Sequence, residues 1–377
     1  MPGPKTPPGN FLGILQKIWW KLDRALDEGS IYYSAMVGSV EAALCGTTLL
    51  VDHHASPNAI PGSLDIIKEA MQEVGLRGVL CYEVTDRGSR RQRDQGLDEN
   101  ERFISAHRSS ACFRGLVGAH ASFTLGEESL HACGSMADRY GTGVHIHVAE
   151  DMSDVVDSQK SYRAGLVDRL SKYSILRKES ILAHCIHIRP VEFAQLRRAR
   201  CWLVHNPRSN MNNGVGHAPV HLFGDRAALG TDGFPADMFE EAKFGFFRMQ
   251  EDDKRIQPAR PDRVGDSGIE IHNEVMTNFL ERGQRLASEM FNQEFGGLAP
   301  GSAADLAVLD YKPPTPLTAG NLSWHLQLGM RSSMVESVMV SGKWIVKDRE
   351  IVGVDVPSVY EKAAKVAKKL WHRMERF

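Results

Sequence analysis

Short apolar runs rich in β-branched residues recur through the first 231 residues and predict seven buried strands. Helical patterns lie between several of them. Strands that alternate with helices are typical of parallel β/α proteins, and a strand spacing of roughly 20–40 residues favours a (β/α)8 barrel. The predicted strands are Ala43–His53, Leu76–Val84, Gly115–His120, Gly143–Ala149, Ser180–His184, Arg200–His205 and Arg226–Thr231, and the predicted helices are Gly62–Val74, Glu127–Arg139, Asp154–Ser171 and Pro190–Arg198.

A doubly wound sheet is the alternative architecture for such a pattern. However, the sequence has no G-x-G-x-x-G turn that opens a helix and no Walker-type loop. A closed barrel needs eight strands, and the pattern supplies seven. We therefore expect an α/β, TIM-like barrel whose first strand is absent.

The two ends of the chain differ from this central region. Apolar residues between Phe11 and Leu26 recur at helical spacing, and the charged residues among them exclude a signal-peptide core. After a helical pattern at 271–292, the segment 297–311 predicts a strand and Val335–Lys347 a hairpin around Ser341-Gly342, continued at 350–354. We expect a barrel at 1–292, a small β-sandwich module at 293–356 and a terminal helix at 357–377.

Composition narrows the function classes. The 377 residues carry a net charge of −2, which excludes a nucleic-acid protein that works by bulk positive charge. No apolar stretch reaches the ~18 residues of a membrane span. The six cysteines form no C-x-x-C pair, so they indicate neither a thiolate zinc site nor a redox pair. We expect a cytoplasmic protein with reduced thiols and with neither a nucleic-acid nor a membrane partner.

Polar residues gather where three of the predicted strands end. His147 and Glu150 close the fourth strand, His184 the fifth, and Asp232 leaves the seventh into a glycine turn. The carboxyl ends of parallel barrel strands meet at one rim, where barrel enzymes build their active sites. A single histidine at a strand end is usually structural. Three strand ends with imidazole and carboxylate groups favour a metal or acid–base site.

The order of these motifs resembles the amidohydrolase superfamily, within it the branch of chlorohydrolases and of guanine, cytosine and S-adenosylhomocysteine deaminases. The segments Gly46–Pro57 and Trp19–Asp23 are similar to those of SsnA-like aminohydrolases. The motifs that carry the resemblance are HIHVAE, LAHCIH, VHNPRSN, LGTDG and GLAPGSAADLAVLD, in that order.

The resemblance implies one divalent metal, with zinc as the first candidate and iron as the alternative. His147 and Asp232 would be metal ligands, Glu150 would move a proton to a ring nitrogen, and His184 would orient the attacking hydroxide or the substrate carbonyl. Further residues would contact the substrate. These are His120, His205, Asn206, Arg208 and Asn210.

The implied reaction hydrolyses a carbon–nitrogen bond other than a peptide bond. A divalent metal lowers the pKa of bound water toward ~7, Asp232 can accept the proton of the water, and Glu150 can protonate the nitrogen side of the C=N bond. The expected result is deamination of a cyclic amidine or heterocycle. The partner would be a small heterocyclic molecule, and a homodimer is expected by analogy.

The sequence departs from the family pattern in one respect. The family carries an H-x-H pair on its first barrel strand, and no such strand precedes Ala43 here. The only H-x-H pair in the sequence is His145 and His147, in the fourth predicted strand. Their place among the motifs makes this strand the fifth of a barrel whose first strand is absent. We therefore expect Met1 to be an internal methionine and a missing segment to hold two metal ligands. The alternative function is a truncated or catalytically impaired protein of this fold that acts as a binding or scaffold protein.

Four arginines follow the second predicted strand, at positions 87, 90, 91 and 93. A solvated loop is the first expectation for such a charge run. Its position on the side of the predicted active site leaves recognition of an anionic substrate as the alternative.

Overall fold

The computed structural model describes residues 3–4, 6–256 and 269–377, and the side chains of 253–256 and 269–271 are left aside. Its main feature is a curled sheet in which every described pairing is parallel. The order along the sheet is β1-β2-β4-β5-β6-β7-β8, with β3 also paired to β2. The strands are β1 Leu49–His54, β2 Arg77–Val84, β3 Phe113–Gly115, β4 Val117–Ala121, β5 Val144–Val148, β6 Ile181–His184, β7 Trp202–His205 and β8 Ala227–Leu229.

Helices connect these strands and cover the outside of the sheet, so the TIM-like architecture predicted from the sequence is confirmed. The predicted strand Gly115–His120 corresponds to β3 and β4 together, which Leu116 separates. Strands β1 and β8 are the two edges of the described sheet. The helices are α1 Phe11–Ile14, α2 Trp20–Ala25, α3 Glu28–Leu44, α4 Ser63–Val74, α5 Arg90–His107, α6 Glu127–Tyr140, α7 Met152–Tyr162, α8 Leu166–Lys172, α9 Phe193–Ala199, α10 Pro207–Asn213, α11 Met238–Ile256, α12 Ile269–Phe291, α13 Leu322–Trp324 and α14 Val356–Met374.

Alternation along β5 separates the core from the interior of the barrel. Val144, Ile146 and Val148 are buried in the main hydrophobic cluster, whereas His145 and His147 are on the opposite face of the strand and are only half-buried. Successive residues of a strand point to opposite faces, so one short strand serves both the packing and the site.

The first predicted strand, Ala43–His53, is wrong over its first half. Residues 43 and 44 end α3, and the strand begins only at Leu49. Helix α3 starts at a capping box between Asp27 and Ser30 and is apolar on more than one side, with Ile31, Met36 and Val40 buried. A helix without a clear polar face gives no amphipathic signal, and a short apolar run at its end looks like a buried strand.

The predicted loop of arginines is also wrong. Arg90, Arg91 and Arg93 lie in the first turn of α5, which Ser89 and Gln92 cap reciprocally. The Ser-x-x-Gln spacing is a helix-start signal that the charge run obscured. The single helix predicted over Asp154–Ser171 is two helices, α7 and α8, because Arg163 adopts a left-handed conformation between them. The predicted N-terminal helix is likewise divided, by a wide π-helical turn at Leu15–Trp19 between α1 and α2.

The C-terminal β module is a four-stranded antiparallel sheet in the order β12-β11-β10-β9. Ser341 and Gly342 both have positive φ and form the predicted hairpin turn. Apolar side chains of this sheet share a hydrophobic cluster with α3 and α4. The strands are β9 Leu306–Leu309, β10 Val335–Val340, β11 Lys343–Lys347 and β12 Glu350–Ile351.

The terminal helix α14 lies against α2 and α3. Its Arg373 donates to the carbonyl of Ala25 at 2.7 Å and pairs with Asp27 at 2.9 Å. The division of the chain into three parts at 292 and 356 stays a prediction. None of the described helices is long and apolar enough to cross a membrane.

Close packing between α6 and the segment after α8 predicts that alanine substitutions at two glycines change the stability of the protein in opposite directions. A Cβ at Gly134, in α6, would lie 1.8 Å from the carbonyl oxygen of Tyr173, whereas a Cβ at the exposed Gly38, in α3, would meet nothing within 4 Å. We expect Gly134→Ala to destabilise the protein by about 1–3 kcal/mol through overpacking. Gly38→Ala should stabilise it by up to about 1 kcal/mol, because alanine favours the helix. Urea unfolding midpoints measure both, and equal midpoints for the two variants would contradict the packing described here.

Candidate active site

Three side chains at the carboxyl ends of β5, β6 and β8 converge, as their positions in the sequence predict. One ligand atom from each of Glu150, His184 and Asp232 lies within 4.8 Å of the others. His184 and Asp232 both have a positive φ, at 71° and 52°, which is uncommon for residues other than glycine. Such backbone strain clusters at functional sites because the surrounding structure must hold it in place. We call these three residues the rim cluster.

His184 presents one ring nitrogen to the cluster. Its Nδ1 lies 2.8 Å from Oδ1 of Asn210, an acceptor, so Nδ1 carries the proton. Its Nε2 lies 3.5 Å from Glu150 and 3.7 Å from Asp232, and it has no hydrogen-bond partner among the described residues. Burial lowers the pKa of His184. A buried, neutral imidazole therefore points an unshared electron pair at the two carboxyl groups.

The two carboxyl groups differ in protonation. Burial and the charge of Asp232 raise the pKa of Glu150 to about 7. Burial also acts against ionisation of Asp232, but the hydrogen bonds that it accepts from Ser209 and from the N–H of Gly233, each at 2.6 Å, hold the pKa of Asp232 below its usual value. Paired groups whose pKa values are pushed apart are typical of an acid and a base that act together.

His147 lies beside the rim cluster, with its ring stacked at 5.6 Å on that of His184. Its Nδ1 donates to the carbonyl oxygen of His120 at 2.7 Å, which leaves Nε2 with the unshared pair. His120 is itself fixed, because its Nδ1 lies 2.6 Å from the hydroxyl of Thr124. The structure therefore brings His147 and His120 to the same part of the rim.

The residues after β7 divide into two groups. Asn210 holds His184, and Nδ2 of Asn206 lies 3.5 Å from the same imidazole. His205 is buried, and neither ring nitrogen has a hydrogen-bond partner among the described residues. Asn206 and Asn210 therefore flank His184, whereas the ring of His205 packs against Phe223.

Arg208, in contrast, makes contacts within the protein through each of its three side-chain nitrogens. Its guanidinium pairs with Glu241 and Glu240 and donates to the carbonyl oxygen of Pro235 at 2.6 Å. Its backbone N–H also donates to Glu241, at 3.0 Å. In this arrangement, Arg208 positions the start of α10, which carries Ser209, Asn210 and Asn213.

A cleft opens beside the cluster and is partly covered by α1. Its wall is formed by Phe11 of α1, Leu15 of the following π-helical turn, Phe123, and the polar side chains of His120, His147 and Glu150. The cleft encloses about 250 Å³ including its open mouth. The space between these side chains is small, so a ligand much larger than a few atoms requires Phe11 and Leu15 to move.

Sequence reasoning missed several residues of this region. Asn213 donates to Glu150 at 3.1 Å. The sequence pattern places His53 at the end of a predicted strand and Glu83 inside another, and it indicates no role for either. The available signal was Glu83 itself, because a charged residue inside an apolar strand is rare unless it is paired.

Comparison with known proteins agrees with this geometry. The model of the amidohydrolase family matches residues 7–260. The chain belongs to the amidohydrolase family. The predicted family and its hydrolase class are therefore confirmed.

Individual relatives of this amidohydrolase are similar over most of the chain. It is 28% identical to the 5-methylthioadenosine/S-adenosylhomocysteine deaminase of Caldanaerobacter subterraneus, over 94% of this chain and 80% of that one. It is 28% identical to the 5′-deoxyadenosine deaminase of Methanopyrus kandleri, over 93% and 78%. The structure superposes with a TM-score of 0.76 and 18% identity on a zinc-bound adenosine deaminase from Xanthomonas campestris, covering 96% and 80%. The last similarity shows a shared fold.

The buried pair between Arg208 and Glu241 predicts a large effect on stability. Glu241 is fully buried, whereas the side chain of Glu240, which contacts the same guanidinium, is 50% exposed. We expect Glu241→Gln to cost about 3 kcal/mol, because it removes the buried carboxylate partner of Arg208 and leaves only the half-exposed one. Glu240→Gln should cost less than about 1 kcal/mol. Urea unfolding of both variants measures the difference, and an equal cost would refute the assignment of Arg208 as a buried positioning residue.

Proposed function

We propose that this amidohydrolase hydrolyses the exocyclic C–N bond of an adenosine-type purine and releases ammonia. The observation that carries the proposal is the convergence of Glu150, His184 and Asp232 at one rim, beside His147. The names of the relatives, which are deaminases of methylthioadenosine, S-adenosylhomocysteine and 5′-deoxyadenosine, support the choice of substrate class.

The donor atoms of this region fit a divalent metal. Two imidazoles, those of His147 and His184, each have one nitrogen fixed by a hydrogen bond and the other free, and Asp232 is an ionised carboxylate. In our proposal His147 and Asp232 hold the metal. Zinc is the first candidate and iron the alternative, since imidazole and carboxylate suit both. When bound, such a metal supplies hydroxide at neutral pH by lowering the pKa of water.

The residues of the chain would manage the protons of the reaction. Asp232, kept ionised, can accept a proton from the attacking water, and the free Nε2 of His184 can accept a hydrogen bond from the same water. Glu150, which retains a proton near neutral pH, can deliver it to the ring nitrogen next to the attacked carbon. Asp232 can then pass its proton to the exocyclic amino group, which leaves as ammonia, while the hydroxyl proton of the adduct returns to Glu150 and the carbonyl group forms.

A second candidate function is binding without turnover by a catalytically impaired amidohydrolase. The small cleft favours this alternative, because a whole nucleoside fits beside His120, His147 and Glu150 only if Phe11 and Leu15 move. The two candidates make opposite predictions for ammonia release. The expected homodimer and cytoplasmic location stay predictions.

The proposed deamination is tested with the purified chain, reconstituted separately with Zn²⁺ and Fe²⁺. Adenosine, 5′-deoxyadenosine, methylthioadenosine and S-adenosylhomocysteine are the substrates, and ammonia is measured. We expect Glu150→Gln and Asp232→Asn each to lower kcat/KM at least ~100-fold, because each removes a proton-transfer group. Asp157→Asn, which changes an exposed carboxylate of α7, is the control and should behave as wild type.

Two outcomes would count against the proposal. The first is the absence of ammonia release by the metal-loaded wild type with every substrate of the panel. The second is turnover that is unchanged by Glu150→Gln. Tight nucleoside binding together with the first outcome would support the binding function instead.

A further inference from the structure

A second group of donor atoms lies next to the rim cluster, between β1, β2 and β5. One ligand atom from each of His53, Glu83 and His147 lies within 4.8 Å of the others. Nδ1 of His53 lies 3.7 Å from Oε2 of Glu83. Both of these side chains are at most 10% exposed. None of the proposed catalytic steps uses His53 or Glu83.

The hydrogen bonds of His53 determine which of its nitrogens carries the proton. Its Nε2 lies 3.2 Å from the carbonyl oxygens of both Ala119 and His145. Carbonyl oxygens only accept, so Nε2 is the protonated nitrogen and Nδ1 has the unshared pair. Nδ1 of His53 and Oε2 of Glu83 are therefore two buried acceptors that face each other.

His147 is oriented in the same way. Its Nδ1 donates to the carbonyl oxygen of His120, and its free Nε2 is the nitrogen that can serve as a ligand. Histidines that bind metals usually donate their other N–H to a backbone carbonyl or a carboxylate, which fixes the tautomer and the ring orientation. Both His53 and His147 show this arrangement toward backbone carbonyls.

Glu83 has one carboxylate oxygen engaged and one free. Oε1 pairs with the guanidinium of Arg87, which lies 4.8 Å over the ring of Trp20. Oε2 instead faces Nδ1 of His53, at 3.7 Å. A cation placed among these acceptors would relieve their mutual repulsion.

We propose that His53, Glu83 and His147 form a binding site for a divalent transition metal, distinct from the rim cluster. Two imidazoles and one carboxylate are a common ligand set for zinc, cobalt and iron. His147 has a single free nitrogen, so it serves one ion at a time. When it binds an ion here, Glu150, His184 and Asp232 are the donors that remain at the rim.

The test measures binding of Co²⁺ alone to the metal-free full chain, by visible absorption and by equilibrium titration. His53→Gln keeps an N–H donor where Nε2 lies but removes the unshared pair of Nδ1. Glu83→Gln keeps an oxygen for Arg87 and replaces the other by an amide. We expect each variant to weaken Co²⁺ binding at least ~10-fold and to change the spectrum of the bound ion.

Two controls separate this site from the rim. His187→Gln changes a histidine outside both groups, whose Nε2 lies 2.8 Å from the carbonyl oxygen of Val215, and it should bind Co²⁺ as the wild type does. Asp232→Asn removes a donor of the rim cluster only, and we expect binding at the proposed site to persist. Circular dichroism of each variant establishes that it is folded.

Anomalous diffraction from wild-type crystals soaked in Co²⁺ needs no variant. We expect a peak in contact with Nδ1 of His53 and Oε2 of Glu83. The proposal is overturned if the wild type binds no Co²⁺, if the only peak lies at the rim, or if Asp232→Asn abolishes binding while His53→Gln and Glu83→Gln leave it unchanged. None of these results depends on ammonia release, so failure of the proposed deamination is a separate outcome.

Discussion

The parallel register of β5 with β6 is the constraint on which the site depends. His147 pairs with Ala183 and Val148 with His184, so the two strands end at the same level. The same direction of β7 and β8 brings Asp232 to this edge. Because the residues of β5 alternate between the helices and the interior, the valines and isoleucine of that strand build the core while its histidines build the site. A shift of one residue in this register would exchange the two sets.

Burial then shifts the pKa values of the carboxyl groups at the rim. Removing a carboxyl group from water favours its neutral form, and only specific partners reverse that effect. Asp232 has such partners in Ser209 and the N–H of Gly233, each at 2.6 Å. Glu150 accepts a longer hydrogen bond from Asn213, and the negative charge of Asp232 disfavours its ionisation. The pKa values of the two carboxyl groups in one cluster are therefore shifted in opposite directions. The buried pair of Arg208 and Glu241 holds the helix that supplies Ser209 and Asn213.

The sequence identified those parts of this arrangement that depend on local patterns. The strand Leu76–Val84 and the strand-end residues Glu150, His184 and Asp232 follow from short apolar runs and their polar ends. Helix α3 was missed because its apolar residues are not confined to one side, so its end resembled a strand. The group of His53, Glu83 and His147 was missed for another reason. Its members are 30 and 64 positions apart, and only the curl of the sheet brings them together.

At the rim, the pKa of Glu150 lies above its ordinary value and that of Asp232 below. Isotope-edited infrared spectroscopy of the metal-free chain, labelled with carbon-13 at the glutamate carboxyl groups, measures this directly. The difference between the wild type and Glu150→Gln isolates the band of Glu150 as the pH is varied. We predict that this band titrates with a midpoint near a pH of about 7. A midpoint near the ordinary value for glutamate, about 4.3, would contradict the account.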